Sequence, residues 1–411
     1  MKPISLDNIY SSASNYKIHG FIFIAGALFF MKFLFALIFL TVTTYSQAAS
    51  VNGFDLKFYG FLKASSIYST QALASYNNVN LSAPTHAVAQ KGSQDSSSRM
   101  SFQTQQSRMG VILEKEKISS KLEFDFIDFS KSSPTTQMNP RVRIASVTYK
   151  MDHSTLIAGQ DWDLFSPVNS YTFDIVGLYF MAGNTGFMRQ QFQYLYHPHE
   201  WEFGAAVGMA GNNPKAGDDN LELSKSPSYS GRITRKLENG RIGLSGIYAH
   251  LNYPFKNGRG HDAYAGNFFY EQVIGSIGIK SELYYGQNLN NIGALAIGKG
   301  TDSSDVKEFG GTLSGQLKVT DQNFLFGGVG LAKVDNRSQL AAFELDDTTK
   351  IITAPGVRQN FISRIGWDYR ITPDFSWMTE VTRFDTISKM TPDKYETNVV
   401  GSLESGIQLR F

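Results

Sequence analysis

The chain has 411 residues, 38 basic against 36 acidic side chains, 13% aromatic residues, 37 glycines and no cysteine. The near-balance of charge excludes a nucleic-acid footprint, and the lack of cysteine excludes both a disulfide framework and a thiolate metal site. Amphipathic helical order is scarce while short alternating stretches recur throughout, which marks the chain as all-β.

At the front, "GFIFIAGALFF" sits directly against "MKFLFALIFLTVTTYSQAAS", Met31 to Ser50. The second block has a basic second residue, an apolar run and small residues before a polar segment. That is the pattern of a secretory signal peptide, cleaved between Ala48 and Ser50. Met31 is accordingly read as the start, with residues 1–30 an over-extended one, 31–50 the signal peptide and 51–411 a single domain. The alternative is one membrane helix from about Gly20 to Leu40, interrupted by Lys32.

From Val51 onward no apolar stretch is long enough for a spanning helix. Alternation predicts strands near 54–68, 98–114, 118–129, 141–150, 154–160, 187–196, 200–210, 228–237, 241–251, 262–271, 273–286, 305–319, 321–333, 357–370, 374–385 and 396–411. The short connections are "EKEK", "KMDHS", "YHPHE", "LENGR", "QV", "VTDQ" and "RITPD". They alternate with long polar segments at 69–97, 130–140, 161–186, 211–227, 252–261, 287–304, 334–356 and 386–395. Short turns on one side, long loops on the other and an even strand number predict a 16-stranded antiparallel transmembrane β-barrel. A Greek-key sandwich gives no reason for such alternation.

Side chains alternate faces along a strand. Val273, Ile277, Ile279, Leu283 and Tyr285 are expected to face lipid, and Lys280, Glu282 and Tyr284 the interior. Phe309, Leu313 and Leu317 likewise oppose Glu308, Thr312 and Gln316. About sixteen strands leave an aqueous channel, so a polar inward face costs little. In "SRMSFQTQQSRMGVIL" the apolar positions switch face between Phe102 and Met109, and a bulge near Gln105 to Ser107 would restore register. The final stretch, "NVVGSLESGIQLRF", keeps strict alternation up to Phe411.

The residues do not ask for covalent chemistry, so no enzyme activity and no cofactor is expected. "HPHE", His197 to Glu200, resembles a metal cluster but falls in a short turn that suits Pro198. The histidines lie mainly in turns and loops, away from a lipid-boundary serine, and no Gly-rich phosphate loop opens a helix.

The informative segment is the third long connection, "DWDLFSPVNSYTFDIVGLYFMAGNTG", Asp161 to Gly186. Its Phe165, Tyr171, Phe173, Leu178, Tyr179 and Phe180 need somewhere to pack, and the barrel interior is one such place; a trimer neighbour or the barrel rim is another. An inward-folded third loop would narrow the pore. Strand parity points Arg108, Arg141, Arg143, Arg189, Arg232 and Arg364 into the lumen, while Asp161, Asp163 and Asp174 are assigned to the loop. A basic wall facing an acidic loop would set a transverse field that selects ions. For any one arginine, pairing with Glu123, Asp125 or Glu380 is the competing use.

The stretches "SRMGVIL", "RVRIASVTYK" leading to "LIAGQDWDLF", then "GNTGFMRQQFQYLY", and the terminal Phe411 together resemble the porin superfamily, and within it the DcaP-like trimeric porins. That family's Arg-bearing strand, "AGQ" plus aromatic, constriction loop and Arg-Gln strand correspond to Arg141, Arg143, Ala158, Gly159, Gln160, Trp162 and Arg189. The resemblance implies a homotrimeric diffusion channel in the outer membrane of a Gram-negative bacterium, bounded by lipid and passing small anionic organic solutes, dicarboxylates among them. It also implies that Phe411 belongs to the signal read by the outer-membrane assembly machinery. A sugar-selective channel, with Trp162, Tyr171, Phe173 and Tyr179 as an aromatic slide, is a second reading. A surface adhesin or structural outer-membrane protein is a third.

Overall fold

The computed structural model describes residues 49–71, 98–127, 140–174, 179–210, 226–252, 260–300, 304–337, 356–391 and 394–411. The chain divides into two units. Of the first, Met1–Val51, only the short strand β1 (Ala49–Val51) is described. The second, Asn52–Phe411, is the barrel. The over-extended start and nearly all of the signal peptide lie outside the described residues, as does most of the first long connection.

The strands of the second unit, in chain order, are β2 (Phe54–Ser69), β3 (Arg99–Gln103), β4 (Arg108–Lys115), β5 (Ile118–Asp125), β6 (Arg141–Lys150), β7 (Ser154–Trp162), β8 (Met188–Tyr196) and β9 (Trp201–Gly208). They continue with β10 (Ser228–Leu237), β11 (Gly240–Asn252), β12 (Gly260–Ile274), β13 (Ile277–Gln287), β14 (Lys307–Lys318), β15 (Asn323–Val334), β16 (Gly356–Arg370), β17 (Phe375–Thr391) and β18 (Lys394–Arg410). Apart from β3 and β4, which both pair with β2, each pairs antiparallel with its sequence neighbour, and β18 returns to β2, so the sheet closes without an edge. Closure is what allows strands to sit in hydrocarbon, since every backbone donor finds a partner within the sheet. Strands β3 and β4 both pair with β2 and are two halves of one crossing, which makes the barrel 16-stranded as the alternation predicts. The interruption, Thr104 to Ser107, falls where the apolar parity switches face; there the Ser107 amide donates to the Thr104 carbonyl at 2.9 Å.

The outer face is an apolar belt. Phe58, Phe102, Phe192, Leu244, Leu283, Leu313, Ile365 and Val381 are all exposed. Sequence neighbours of the last six point the other way and are buried: Gln191, Ser245, Glu282, Thr312, Arg364 and Glu380. This is apolar-out, polar-in alternation, the reverse of a soluble sheet. The boundary between β12 and β13 differs from the sequence expectation. Gln272 and Val273 remain in strand, and the turn is Gly275–Ser276, with Gly275 at φ 59. A tight hairpin needs a residue that tolerates positive φ, and glycine supplies it where the β-branched Val273 does not.

A candidate pore constriction

The described residues of the connection from β7 to β8, 163–174 and 179–187, lie against the inward face of the wall, and their anchors can be followed. Asp163 Oδ1 accepts the amides of Phe165 and Ser166 at 3.1 and 3.4 Å, turning the chain as it leaves β7. The Phe165 carbonyl accepts from Asn267 Nδ2 at 2.9 Å and from the Ser245 hydroxyl. Ser166 Oγ and the Val168 amide donate to Glu282 at 2.7 and 3.1 Å. Cations then take two carbonyls: Arg241 reaches Pro167 at 2.9 Å and Lys280 reaches Asn169 at 2.8 Å. The Tyr171 amide bonds Ser314 Oγ at 3.2 Å; Thr172 Oγ1 and the Phe173 amide bond Glu380 at 2.6 and 2.9 Å.

At the far end Lys63 Nζ takes the Phe173 carbonyl at 2.7 Å, and Gln106 Nε2 donates to Asp174 at 2.9 Å. The segment therefore runs from β11 and β12 past β13, β14 and β17 to β2. Irregular backbone at this depth must have its polar groups satisfied, and the wall side chains do it: carboxylates take the amides, and cations and amides take the carbonyls.

The returning limb is held as closely. Asn184 Nδ2 bonds the Val168 carbonyl at 2.7 Å, crossing back to the outgoing limb, and Asn360 Nδ2 bonds the Met181 carbonyl at 3.1 Å. Gly183 (φ 109) and Gly330 let the chain lie flat: a Cβ on Gly183 would overlap the backbone of Gly311, and one on Gly330 the carbonyl of Ala182. Phe165, Phe173 and Tyr179 are fully buried, which accounts for the aromatic content of the segment. Leu178 lies outside the described residues.

The expected basic wall facing an acidic loop is corrected by the pairing. Arg141 Nε donates to Asp125 at 2.8 Å. Arg143 donates to Glu123 at 2.9 Å and to Asp125 at 3.3 Å, with its guanidinium 5.6 Å from the Trp162 ring centre. Arg108 lies 3.6 Å from Glu123 and Lys121 3.9 Å from the same carboxylate, which also accepts the Tyr59 hydroxyl at 2.9 Å. Buried cations demand such partners.

Asp161 and Trp162 end β7 rather than standing on the loop, and Asp161 accepts Ser146 Oγ at 2.9 Å. Asp163 is buried with Arg189 at 3.9 Å. Burial pushes the Asp163 carboxyl above the ordinary aspartate range, and the Arg189 charge pulls against that rise. Asp174 stands at the loop's far end, 3.5 Å from Arg364, which also pairs with Glu380 at 3.0 Å.

The structure thus brings Arg108, Arg141, Arg143 and Trp162 together on β4, β6 and β7. Arg189, Asp163, Asp174 and Tyr171 are placed elsewhere. Arg189 is turned to backbone carbonyls, Met209 at 2.5 Å and Ile292 at 2.8 Å. Tyr171 lies under Lys280, whose Nζ is 4.5 Å from the ring centre. Phe173 and Tyr179 are fully buried, so two of the four aromatics of the slide reading pack against the wall, while Trp162 and Tyr171 stay half-buried. Phe411 has an exposed ring, and its backbone exchanges hydrogen bonds of 3.0 and 3.1 Å with Gly60.

Lys63, Gln106 and Glu404 were not singled out in the sequence. Alternation gives Lys63 and Glu404 inward parity, but Gln106 falls in the β3–β4 break, and the meeting of all three with a loop far along the chain was not legible. The connection after β13 also departs from its reading as a polar outer loop. Leu289, Ile292, Ala294, Leu295 and Ile297 are buried.

The fold is shared with solved outer-membrane channels. The outer membrane channel DcaP of Acinetobacter baumannii superposes with a TM-score of 0.67 and 13% identity, over 88% of this chain and 99% of that one. The fold is that of an outer-membrane porin. This porin fold is also similar to OmpF of Salmonella typhi, solved in complex with daunomycin, with a TM-score of 0.56 and 10% identity over 89% of this chain and all of that one. OmpT of Vibrio cholerae follows at 0.53 and 12%, again over 89% of this chain and all of its own. At such identities the likeness is one of fold alone. No family model and no curated protein matches the sequence.

Proposed function

We propose that the chain is a water-filled channel of a bacterial outer membrane, passing small hydrophilic solutes by diffusion and favouring anions, dicarboxylates among them. The observation that carries this reading is the inward cluster on β4, β5 and β6. Arg108, Lys121, Arg141 and Arg143 face Glu123 and Asp125 there. The Arg108, Lys121 and Arg141 side chains are 20, 37 and 21% exposed, whereas Glu123 and Asp125 are 6 and 1% exposed. A solute passing that wall meets the cations and not their partners, so the local field is positive. The loop anchored across β11 to β2 supports the reading from the other side, as the element that narrows the lumen. The apolar belt fits lipid, and assembly as a homotrimer is part of the proposal, in keeping with a solved trimer form of the Vibrio cholerae OmpT.

Purified protein in planar bilayers tests the function. A reversal potential in a salt gradient should report preference for the anion. Open channels that prefer cations would overturn the selectivity, and absence of conductance would overturn the channel.

A further inference from the structure

We infer that the lumen holds a second constricting element, the segment Asn288–Gly300, and that Arg189 is the residue that positions it. The inference rests on the channel reading above and adds to it a determinant of pore size that the β7–β8 loop does not supply.

The segment leaves β13 and turns inward rather than away. Its base is closed by the Asn288 amide bonding the Val306 carbonyl at 2.8 Å, and by Asn288 Oδ1 accepting the Val306 amide at 2.8 Å. A short 3-10 turn, Leu289–Ile292, follows, ended by Gly293 at φ 74. The interior of the segment is tied to itself, with Asn290 Nδ2 on the Ala296 carbonyl at 2.8 Å and Asn291 Oδ1 accepting the Gly300 amide at 2.8 Å. A closed, internally bonded loop of this length packs as a unit.

What it packs on is the inside of the barrel. Leu289, Ile292, Ala294 and Ala296 form one buried cluster with Phe165 of the first loop and with Ala249, Ala263 and Ala265 of β11 and β12. Small inward residues on those strands leave the recess that Leu289 and Ile292 fill, so apolar surface is removed from water on both partners. Backbone bonds join the two inward segments directly: the Met181 amide to the Leu295 carbonyl at 2.8 Å, and the Leu295 amide to the Thr185 carbonyl at 3.2 Å. The two segments thus form one assembly.

Arg189 on β8 is the clasp. Its guanidinium donates to the Ile292 carbonyl at 2.8 Å and to the Met209 carbonyl at 2.5 Å, so one side chain bridges the end of β9 and the end of the 3-10 turn. The fork of donors fixed in one plane is what lets a single residue hold two backbone sites at once, which lysine does not reproduce. Arg189 acts here through the segment it holds and is a positioning residue.

The test compares wild type with Arg189→Gln, and with a variant in which Leu289–Ile297 is replaced by two glycines across the closed base. All are folded as the full barrel and checked for heat-modifiable migration. Single-channel conductance and liposome swelling with neutral sugars of rising size are the readouts. Both variants should conduct more, by about 1.5-fold or greater, and admit larger sugars, with the anion-to-cation permeability ratio little changed, since pore diameter and lining charge act separately. Arg189→Lys should not restore the native size limit.

Unchanged conductance and size limit in the shortened variant would overturn the proposal, and so would an Arg189→Gln channel altered only in charge selectivity. If Arg189→Gln fails to assemble, the shortened variant still decides. A wild-type barrel that does not conduct removes the channel reading, and this proposal with it.

Discussion

The ammonium of Lys63 bonds the Phe173 carbonyl at 2.7 Å and sits 3.7 Å from the centre of the same residue's ring, 110 positions away in sequence. That ammonium also reaches Glu404 of β18 at 2.8 Å and Gln106 at 2.6 Å, and its side chain is wholly buried. One cation therefore joins the first barrel strand, the last one, the β3–β4 interruption and the far end of the inward loop.

Lys63→Met is expected to leave Glu404 buried without its cation, at a cost of about 3–5 kcal/mol. The loop end should loosen with it, giving noisier single-channel currents. Adding Glu404→Gln removes the stranded charge, so the double variant should recover much of the stability but little of the quiet current. Thermal unfolding and bilayer recordings measure the two effects, and equal losses in single and double variants would deny the coupling.

Glu282 accepts Ser166 Oγ, the Val168 amide and Asn184 Nδ2, holding both limbs of the loop, and Asn267 Nδ2 at 3.4 Å besides. Glu282→Gln turns one acceptor into a donor among donors, and should cost about 1.5–3 kcal/mol. The chain has no cysteine, so a single cysteine at Asn169 reports loop exposure cleanly. It should react with a bulky thiol reagent several-fold faster in the Glu282→Gln background. Equal rates would mean that the loop holds its place without this carboxylate.

Gly330→Val pushes a side chain into the Ala182 carbonyl and the Tyr179 ring. Overpacking of this kind costs about 1–3 kcal/mol, and here the loop is what gives way. Gly266→Val is the control, because a Cβ there meets nothing within 4 Å. A lowered unfolding temperature and altered conductance are expected for the first and neither for the second. Matching behaviour of the two would show that the loop does not need its close approach to β15.

The strands were legible because a barrel in lipid enforces period-two alternation along nearly every crossing, and even the break before Arg108 showed as a change of face between Phe102 and Met109. The Gly275 turn was missed because Gln272 and Val273 continue the same alternation, and only the demand for positive φ separates them from the hairpin. The partners of the inward loop were not legible, since which wall residue meets Phe173 depends on the register of strands far apart in the chain. Arg141 and Asp125 are directly opposed in the β5–β6 ladder, so their pairing follows once that register is known. The register itself shifts between Glu123 and Phe124, where sequence alternation gives no warning. The segment 287–304 was read as a polar loop although "NLNNIGALAIG" carries apolar letters, and nothing in the sequence names Ala249, Ala263 and Ala265 as the recess that Leu289 and Ile292 fill.

The charge cluster on β4, β5 and β6 yields the last prediction. Arg143 is almost wholly buried between Glu123 and Asp125, whereas Arg108, Lys121 and Arg141 reach solvent. Replacing Arg108 and Lys121 with glutamine removes charge that a solute meets, and leaves Arg141 and Arg143 to neutralise the two carboxylates. Anion preference should fall at low salt, with a smaller change at high salt, because screening acts over roughly 10 Å at 0.1 M. Dicarboxylate entry should slow more than entry of a neutral sugar of similar size. Arg143→Gln should act differently: it strands buried carboxylates, so its first effect is on folding yield and thermal stability, with a cost of about 3–5 kcal/mol. Reversal potentials across a salt gradient and unfolding temperatures separate the two outcomes. If the Arg108 and Lys121 variant kept its anion preference at low ionic strength while Arg143→Gln lost it without loss of stability, the buried guanidinium would be the selective charge and the exposed pair would not.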